Sequence, residues 1–161
     1  EFYSFSEDEA SQALQFYRER FAVTGLFENE VYEGIEKLLK DLNKLNYRLA
    51  VATSKPIVYA KQILDFFNLS KYFEVIVGSE LDGTRSAKGD VIEEVLKQMK
   101  IEKKDQCVMI GDRKHDLIGA SENGIDSIGV TYGYGSQQEL EDANATYIVH
   151  SVDSLSIIFG E

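Results

Sequence analysis

The sequence predicts an α/β protein built on a doubly wound parallel sheet, and three observations predict it. Short apolar runs alternate with segments of helical periodicity along the chain, the pattern of parallel strands covered on both faces. Several runs stop at polar or glycine-containing segments: Thr53-Ser54-Lys55-Pro56, Gly111-Asp112 and Tyr132-Gly133-Tyr134-Gly135. In open α/β sheets, ligand sites lie outside the carboxyl ends of the strands, where such segments fall. The length of 161 residues, 43% of them hydrophobic, suits one domain with a real core.

Each element has its own signal. Ser6 and Glu9 form a capping box before a helix with Ala10, Ala13, Leu14, Tyr17 and Phe21 on one side. Residues 22–30 lack periodicity, contain Gly25 and read as a connector. A second helix is expected over 31–45, with Val31, Ile35, Leu38, Leu39 and Leu42 as its apolar stripe and Asn46 as its end. Residues 47–52 read as a short buried strand. Pro56, the single proline, falls in the first turn of the helix that follows, where a missing N–H costs nothing. A strand is expected over 73–77 and a polar loop over 78–89, then a helix over 90–100 that buries Val91, Val95, Leu96 and Met99. The run from Cys107 to Ile110 is a strand, and a helix follows through Leu117, Ile118 and Ala120 with Gly124 as its C-cap. Strands at 127–131 and 146–149 and a helix over 152–159 complete the alternation; Ser136 and Glu139 read as a second capping box.

Net charge is −11, from 17 basic and 28 acidic residues, which argues against non-specific binding to nucleic acid or an anionic membrane. No apolar stretch approaches membrane-spanning length. The one cysteine, Cys107, precludes an intramolecular disulfide and reads as a small core hydrophobe, in keeping with a cytoplasmic setting. The chain opens without Met, on Glu1-Phe2-Tyr3-Ser4-Phe5, which reads like the interior of a longer protein.

Four polar groups fall at predicted strand ends. Asp112 closes an apolar strand and Asp116 returns to the same edge one helical turn later, which suggests a hard cation with oxygen ligands, most simply Mg2+. The plainer reading makes Asp112 a helix N-cap and Asp116 a solvated helix residue. Thr53 and Ser54, with the N–H groups that follow, could cradle a phosphate at a helix N-terminus, or serve as an ordinary cap. Lys88 is either a fixed cation beside a helix start or a surface lysine. The Gly133/Gly135 loop either lines a pocket or makes a turn.

In this order, Leu49-Ala50-Val51-Ala52-Thr53-Ser54-Lys55-Pro56, Lys88 and Ile110-Gly111-Asp112-Arg113-Lys114-His115-Asp116 resemble the haloacid dehalogenase-like hydrolases, most closely the phosphoglycolate phosphatase group. Asn123-Gly124-Ile125 and Val130-Thr131-Tyr132-Gly133-Tyr134-Gly135 match as well. The resemblance implies a Rossmann-like core over residues 23–161 and a remnant of a helical cap over residues 1–22. It implies a Mg2+-dependent phosphatase acting on a small phosphorylated metabolite, such as phosphoglycolate or a nucleoside monophosphate, through an aspartyl-phosphate. By resemblance, Thr53 holds the transferring phosphoryl group, helped by the N–H groups of Ser54 and Lys55. Lys88 neutralises its charge, Asp112 ligates Mg2+, and Asp116 orients the metal's waters or Lys88. Phosphoryl transfer is catalysed largely by such positioning and charge neutralisation.

One part of the family pattern is missing. The nucleophile is the first Asp of an Asp-x-Asp-Gly-Thr motif that ends an N-terminal strand, and no such strand precedes Glu1. Glu80-Leu81-Asp82-Gly83-Thr84 mimics the motif with Glu at the nucleophile position, but follows Thr53 instead of preceding it, and reads as a loop turn. The resemblance puts the missing strand between those ending at Thr53 and Asp112. The sheet is therefore expected to lack its first strand, and residues 1–161 alone to be poorly soluble and nearly inactive, with the N-terminal segment of the same protein as their partner. A non-catalytic binding or regulatory protein of the same fold is the alternative. A phospho-acceptor receiver domain fits the Thr-Lys-Asp order badly.

Overall fold

The computed structural model describes residues 4–160, so Glu1–Tyr3 and Glu161 lie outside the described residues. Five strands run in parallel in two groups. β1 (Ala50–Pro56) pairs with β2 (Val75–Ser79), and β3 (Val108–Gly111) pairs with β4 (Asp126–Val130), which pairs with β5 (Tyr147–Val149). Among the described residues no strand joins β1 to β3. A cleft of about 1120 Å3 separates them, lined by Ala50–Ala52 of β1 and Val108–Ile110 of β3. The run 47–52, expected as a buried strand, is strand only from Ala50: Tyr47 and Arg48 are exposed, Ala50–Ala52 are half-buried, and in β3 Val108 is exposed. β1 and β3 each face the cleft with one edge.

Helices α1 (Glu7–Val23), α2 (Ile35–Lys44), α3 (Ile57–Phe66), α4 (Lys88–Gln98), α5 (Lys114–Glu122), α6 (Gln137–Asp142) and α7 (Val152–Ile158) flank the strands. Successive strand residues point to opposite faces. Ile128 and Val130 of β4 pack with Leu38 and Leu42 of α2 and with Val152 and Leu155 of α7. Gly129, between them, faces Leu140 of α6, so α6 covers the other face from α2 and α7. A second cluster packs Val77 of β2 against Val91, Val95 and Met99 in and just after α4. Each fully buried aliphatic side chain contributes about 1.5–3 kcal/mol, so these two clusters hold the halves of the protein.

Several boundaries differ from the sequence reading for local physical reasons. α2 starts at Ile35, not Val31, because Gly34 takes a left-handed φ of 84° that no helix accommodates. Val31 lies outside the helix and is exposed. Pro56 is the N-cap of α3, one position before the first turn. Lys88 opens α4 instead of preceding it. The α1 capping box forms as expected, but none of the helix is buried. Phe21 alone on that helix is half-buried, stacked on Tyr17 and edge-on to Tyr59 of α3. The connector after α1 contributes a core residue, since Leu26 in the 3-10 turn Gly25–Phe27 is fully buried. Cys107 precedes β3 and is half-buried rather than in the core, and burial pushes its thiol pKa up.

Candidate phosphate and metal site at the carboxyl edge

β1 does not end at Ala52. It continues to Pro56 through a bulge, in which Thr53, Ser54 and Lys55 lie opposite Gly78 alone between the pairs Ala52–Val77 and Pro56–Ser79. A Cβ at Gly78 would lie 2.5 Å from the Lys55 carbonyl oxygen, so only glycine lets the bulge close. Ser79 is 3% exposed, and its hydroxyl donates to the Ser54 carbonyl at 2.9 Å, pinning the bulge from below. The Lys55 N–H donates to Thr53 Oγ1 at 3.1 Å. With that lone pair engaged, the Thr53 hydroxyl keeps its hydrogen available for an anionic oxygen. Ser54 is exposed at the tip. The Lys55 side chain turns away toward α1, its Nζ 4.5 Å from the centre of the Phe21 ring, and burial lowers its pKa.

Lys88 is neither a surface lysine nor free. Its Nζ donates to Asp116 Oδ1 at 2.9 Å and to the Ala52 carbonyl at 2.9 Å, with side-chain exposures of 12% for Lys88 and 8% for Asp116. One ammonium thus ties the end of β1 to the helix after β3, across the carboxyl end of the cleft. Close approach of α4 to α5 makes this possible. A Cβ on Gly119 would lie 2.9 Å from the Gly89 nitrogen, and Asn123 Nδ2 donates to the Gly89 carbonyl at 2.9 Å.

Asp116 is buried, not solvated. Its other oxygen accepts the Arg113 N–H at 3.0 Å, and Arg113, not Asp112, is the N-cap of α5. The glycine in Gly111-Asp112-x-x-x-Asp116 has a steric cause, since a Cβ there would sit 2.2 Å from Asp116 Cβ. Gly111→Ala is therefore expected to push Asp116 off Lys88, costing about 2 kcal/mol by overpacking. Thermal melts check it; unchanged melting would show that the turn relaxes freely.

Asp112 is half-buried and held by the loop after β4. Tyr134 N–H donates to its Oδ2 at 2.8 Å, and Gly135 N–H donates to its carbonyl at 2.9 Å. A Cβ at Gly133 would fall 2.3 Å from Asp112 Cβ and one at Gly135 2.1 Å from the Asp112 carbonyl oxygen, so the glycine loop is a clamp on Asp112. Tyr132 stands beside it, 5.3 Å from the Tyr32 ring, its pKa raised by burial, then by Tyr32 and the Asp112 charge. The expected capping box at Ser136 is half present: Ser136 Oγ accepts the Glu139 N–H at 3.1 Å. The Glu139 carboxylate is engaged elsewhere, on Arg113 Nε at 2.8 Å and the Lys114 N–H at 2.9 Å. Glu80–Thr84 folds as a tight turn, with Gly83 at a φ of 90° and Thr84 N–H on Asp82 Oδ1 at 2.8 Å.

Among the described residues no three His, Cys, Asp or Glu side chains cluster to hold a metal ion. Magnesium usually keeps several waters and takes one or two protein carboxylates plus substrate phosphate. The donor set present fits that mode through Asp112, while both oxygens of Asp116 already have partners. The structure thus brings Thr53, Lys88 and Asp116 to one edge with Asp112 beside them; Ser79, Gly78, Arg113 and Glu139 had no signal of function in the sequence.

Comparison with known proteins agrees with this geometry. The family model for haloacid dehalogenase-like hydrolase matches residues 2–130. A 5'-nucleotidase of Pseudomonas aeruginosa is 48% identical over 145 residues, covering 90% of this chain and 65% of that protein. The tyrosine-protein kinase PtkA of Mycobacterium tuberculosis is 37% identical over 155 residues, covering 95% of this chain and 53% of that protein. A phosphoglycolate phosphatase of Colwellia psychrerythraea is 27% identical over 145 residues, covering 90% of this chain and 64% of that protein. The crystal structure of a predicted phosphatase from Clostridium acetobutylicum superposes with a TM-score of 0.92 at 51% identity, over 98% of this chain and 73% of that one. The chain spans between 53% and 65% of the length of these curated relatives. With a parallel α/β core, a threonine bulge, a bridging lysine and the Gly-Asp turn on one edge, this chain belongs to the haloacid dehalogenase-like hydrolases.

Proposed function

We propose that residues 1–161 form the phosphate- and metal-holding part of a Mg2+-dependent phosphomonoesterase, acting through an aspartyl-phosphate whose Asp lies outside this chain. The observation that carries the reading is the Lys88 ammonium, held between Ala52 O and Asp116 beside the Thr53 bulge and Asp112. Thr53 donates its hydroxyl hydrogen to a phosphoryl oxygen, with Ser54 N–H and, once released from Thr53, Lys55 N–H as further donors. Lys88 lowers the charge that builds on the phosphoryl oxygens, and Asp116 keeps it aimed there. Asp112 would hold Mg2+, and Asp116 would orient Lys88 or the metal's waters. When bound, the metal supplies charge neutralisation to the phosphoryl group.

The open cleft between β1 and β3 supports a further part of the reading. An apolar strand from the N-terminal segment of the same protein fills it and ends with its acidic group between Thr53 and Asp112. Without it, two strand edges keep unpaired backbone groups, each costly to bury unsatisfied. In the same reading, residues 1–22 end a helical cap, and the protein works in the cytoplasm on a small phosphate ester such as phosphoglycolate or a nucleoside monophosphate.

Hydrolysis of p-nitrophenyl phosphate tests the proposal directly. The complete protein is expected to hydrolyse it with Mg2+ and to stop in EDTA, while residues 1–161 alone are expected to be poorly soluble and nearly inactive. Robust Mg2+-dependent turnover by the bare chain would sink the missing-nucleophile reading. A folded complete protein inert toward every phosphate ester tried would favour a non-catalytic role.

A further inference from the structure

We propose that Glu139 is a positioning residue for the metal site, acting on Asp112 through Arg113 and Lys114. This rests on the reading of Asp112 as the Mg2+ ligand and goes beyond it by naming what sets that carboxylate's direction. One carboxylate oxygen of Glu139 accepts both the Arg113 Nε–H at 2.8 Å and the Lys114 N–H at 2.9 Å. Those two residues directly follow Asp112, so the contact restrains the backbone on its C-terminal side.

Glu139 is itself held rigidly. Its N–H is capped by Ser136 Oγ at 3.1 Å, and the next residue, Leu140, is fully buried against Gly129 of β4. The loop that leads to Glu139 also grips Asp112 directly, through Tyr134 N–H on its carboxylate and Gly135 N–H on its carbonyl. The segment from Gly133 to Glu139 therefore contacts Asp112 or its immediate successors at four points: carboxylate, carbonyl, the Arg113 side chain and the Lys114 amide. An exposed ion pair contributes little to stability on its own, and the Glu139 carboxylate is only partly exposed, at 23%. The value of this pair lies in orientation: partners behind a metal ligand typically change affinity by about 10- to 100-fold when removed.

Titration calorimetry of Mg2+ into the complete protein, with thermal melts alongside, tests this. Glu139→Ala is expected to raise the Mg2+ Kd by about 10-fold, with kcat recovering toward the parent value at saturating Mg2+. Glu139→Gln keeps an oxygen for the Lys114 N–H but loses the charge opposite Arg113, so a smaller rise is expected. It carries the test if Glu139→Ala fails to fold. A merely structural role would lower the melting temperature and leave the Mg2+ Kd of folded protein alone; Kd values of both variants within twofold of the parent would overturn the proposal. Asp112→Asn in the same titration separates the two levels. If Asp112→Asn loses Mg2+ and the Glu139 variants do not, the positioning role alone falls. If Asp112→Asn binds Mg2+ like the parent, the ligand assignment falls and takes this inference with it.

Discussion

Asp112→Asn in the complete protein is expected to lower Mg2+-dependent phosphatase activity by at least about 100-fold while leaving the fold intact. The asparagine oxygen still accepts the Tyr134 N–H that Asp112 Oδ2 takes at 2.8 Å, and the Gly135 bond goes to the main-chain carbonyl, which the substitution does not touch. What is lost is the negative charge of a carboxylate that, unlike Asp116 on Lys88 and Glu139 on Arg113, is held by a backbone N–H rather than by an ion pair. Loss of electrostatic stabilisation for a developing charge typically costs about 100- to 1000-fold in kcat. Activity against Mg2+ concentration, with melting curves as control, is the measurement. Activity left intact in a folded variant would count heavily against the metal assignment.

Lys88→Met is expected to remove both activity and stability. Breaking a buried ion pair by removing one partner costs about 3–5 kcal/mol because the other charge is left uncompensated. Here the orphan is Asp116, 6% exposed, and the Ala52 carbonyl loses its partner as well. For a domain of this size the melting temperature should fall by roughly 10 °C. The pair Lys88→Met with Asp116→Leu distinguishes the two roles. Replacing both charges with apolar groups of similar volume should restore much of the stability, whereas activity stays absent because no cation faces the phosphoryl group. Recovery of activity in the double variant would show that Lys88 serves the fold alone.

The contrast between the two aspartates shows what was legible beforehand. Their spacing, one helical turn apart after an apolar strand, put both at one edge. The plainer alternative, a cap and a surface charge, was not separable from it locally, because both produce Gly-Asp-x-x-x-Asp. Asp116 proved not to be solvated: it is buried, with Lys88 on one oxygen and the Arg113 N–H on the other. The Ser136/Glu139 spacing was a true local signal with a tertiary competitor. Ser136 capped the helix, but Glu139 found an Arg113 guanidinium and a Lys114 N–H from a segment 25 residues earlier, which outbid its own N-cap. Ser79 and Gly78 carried no signal, because their work is to hold a bulge in another strand.

The alternation of elements and the residue types of the site were determined by the sequence alone. They follow from side-chain periodicity and local turn chemistry, which act over a few residues. The bulge that lifts Thr53 and Ser54, the Lys88 bridge across the cleft and the clamp on Gly111-Asp112 were decided only by the tertiary structure. Each depends on backbone groups brought together from distant strands, where room for a single Cβ settles which contacts can form.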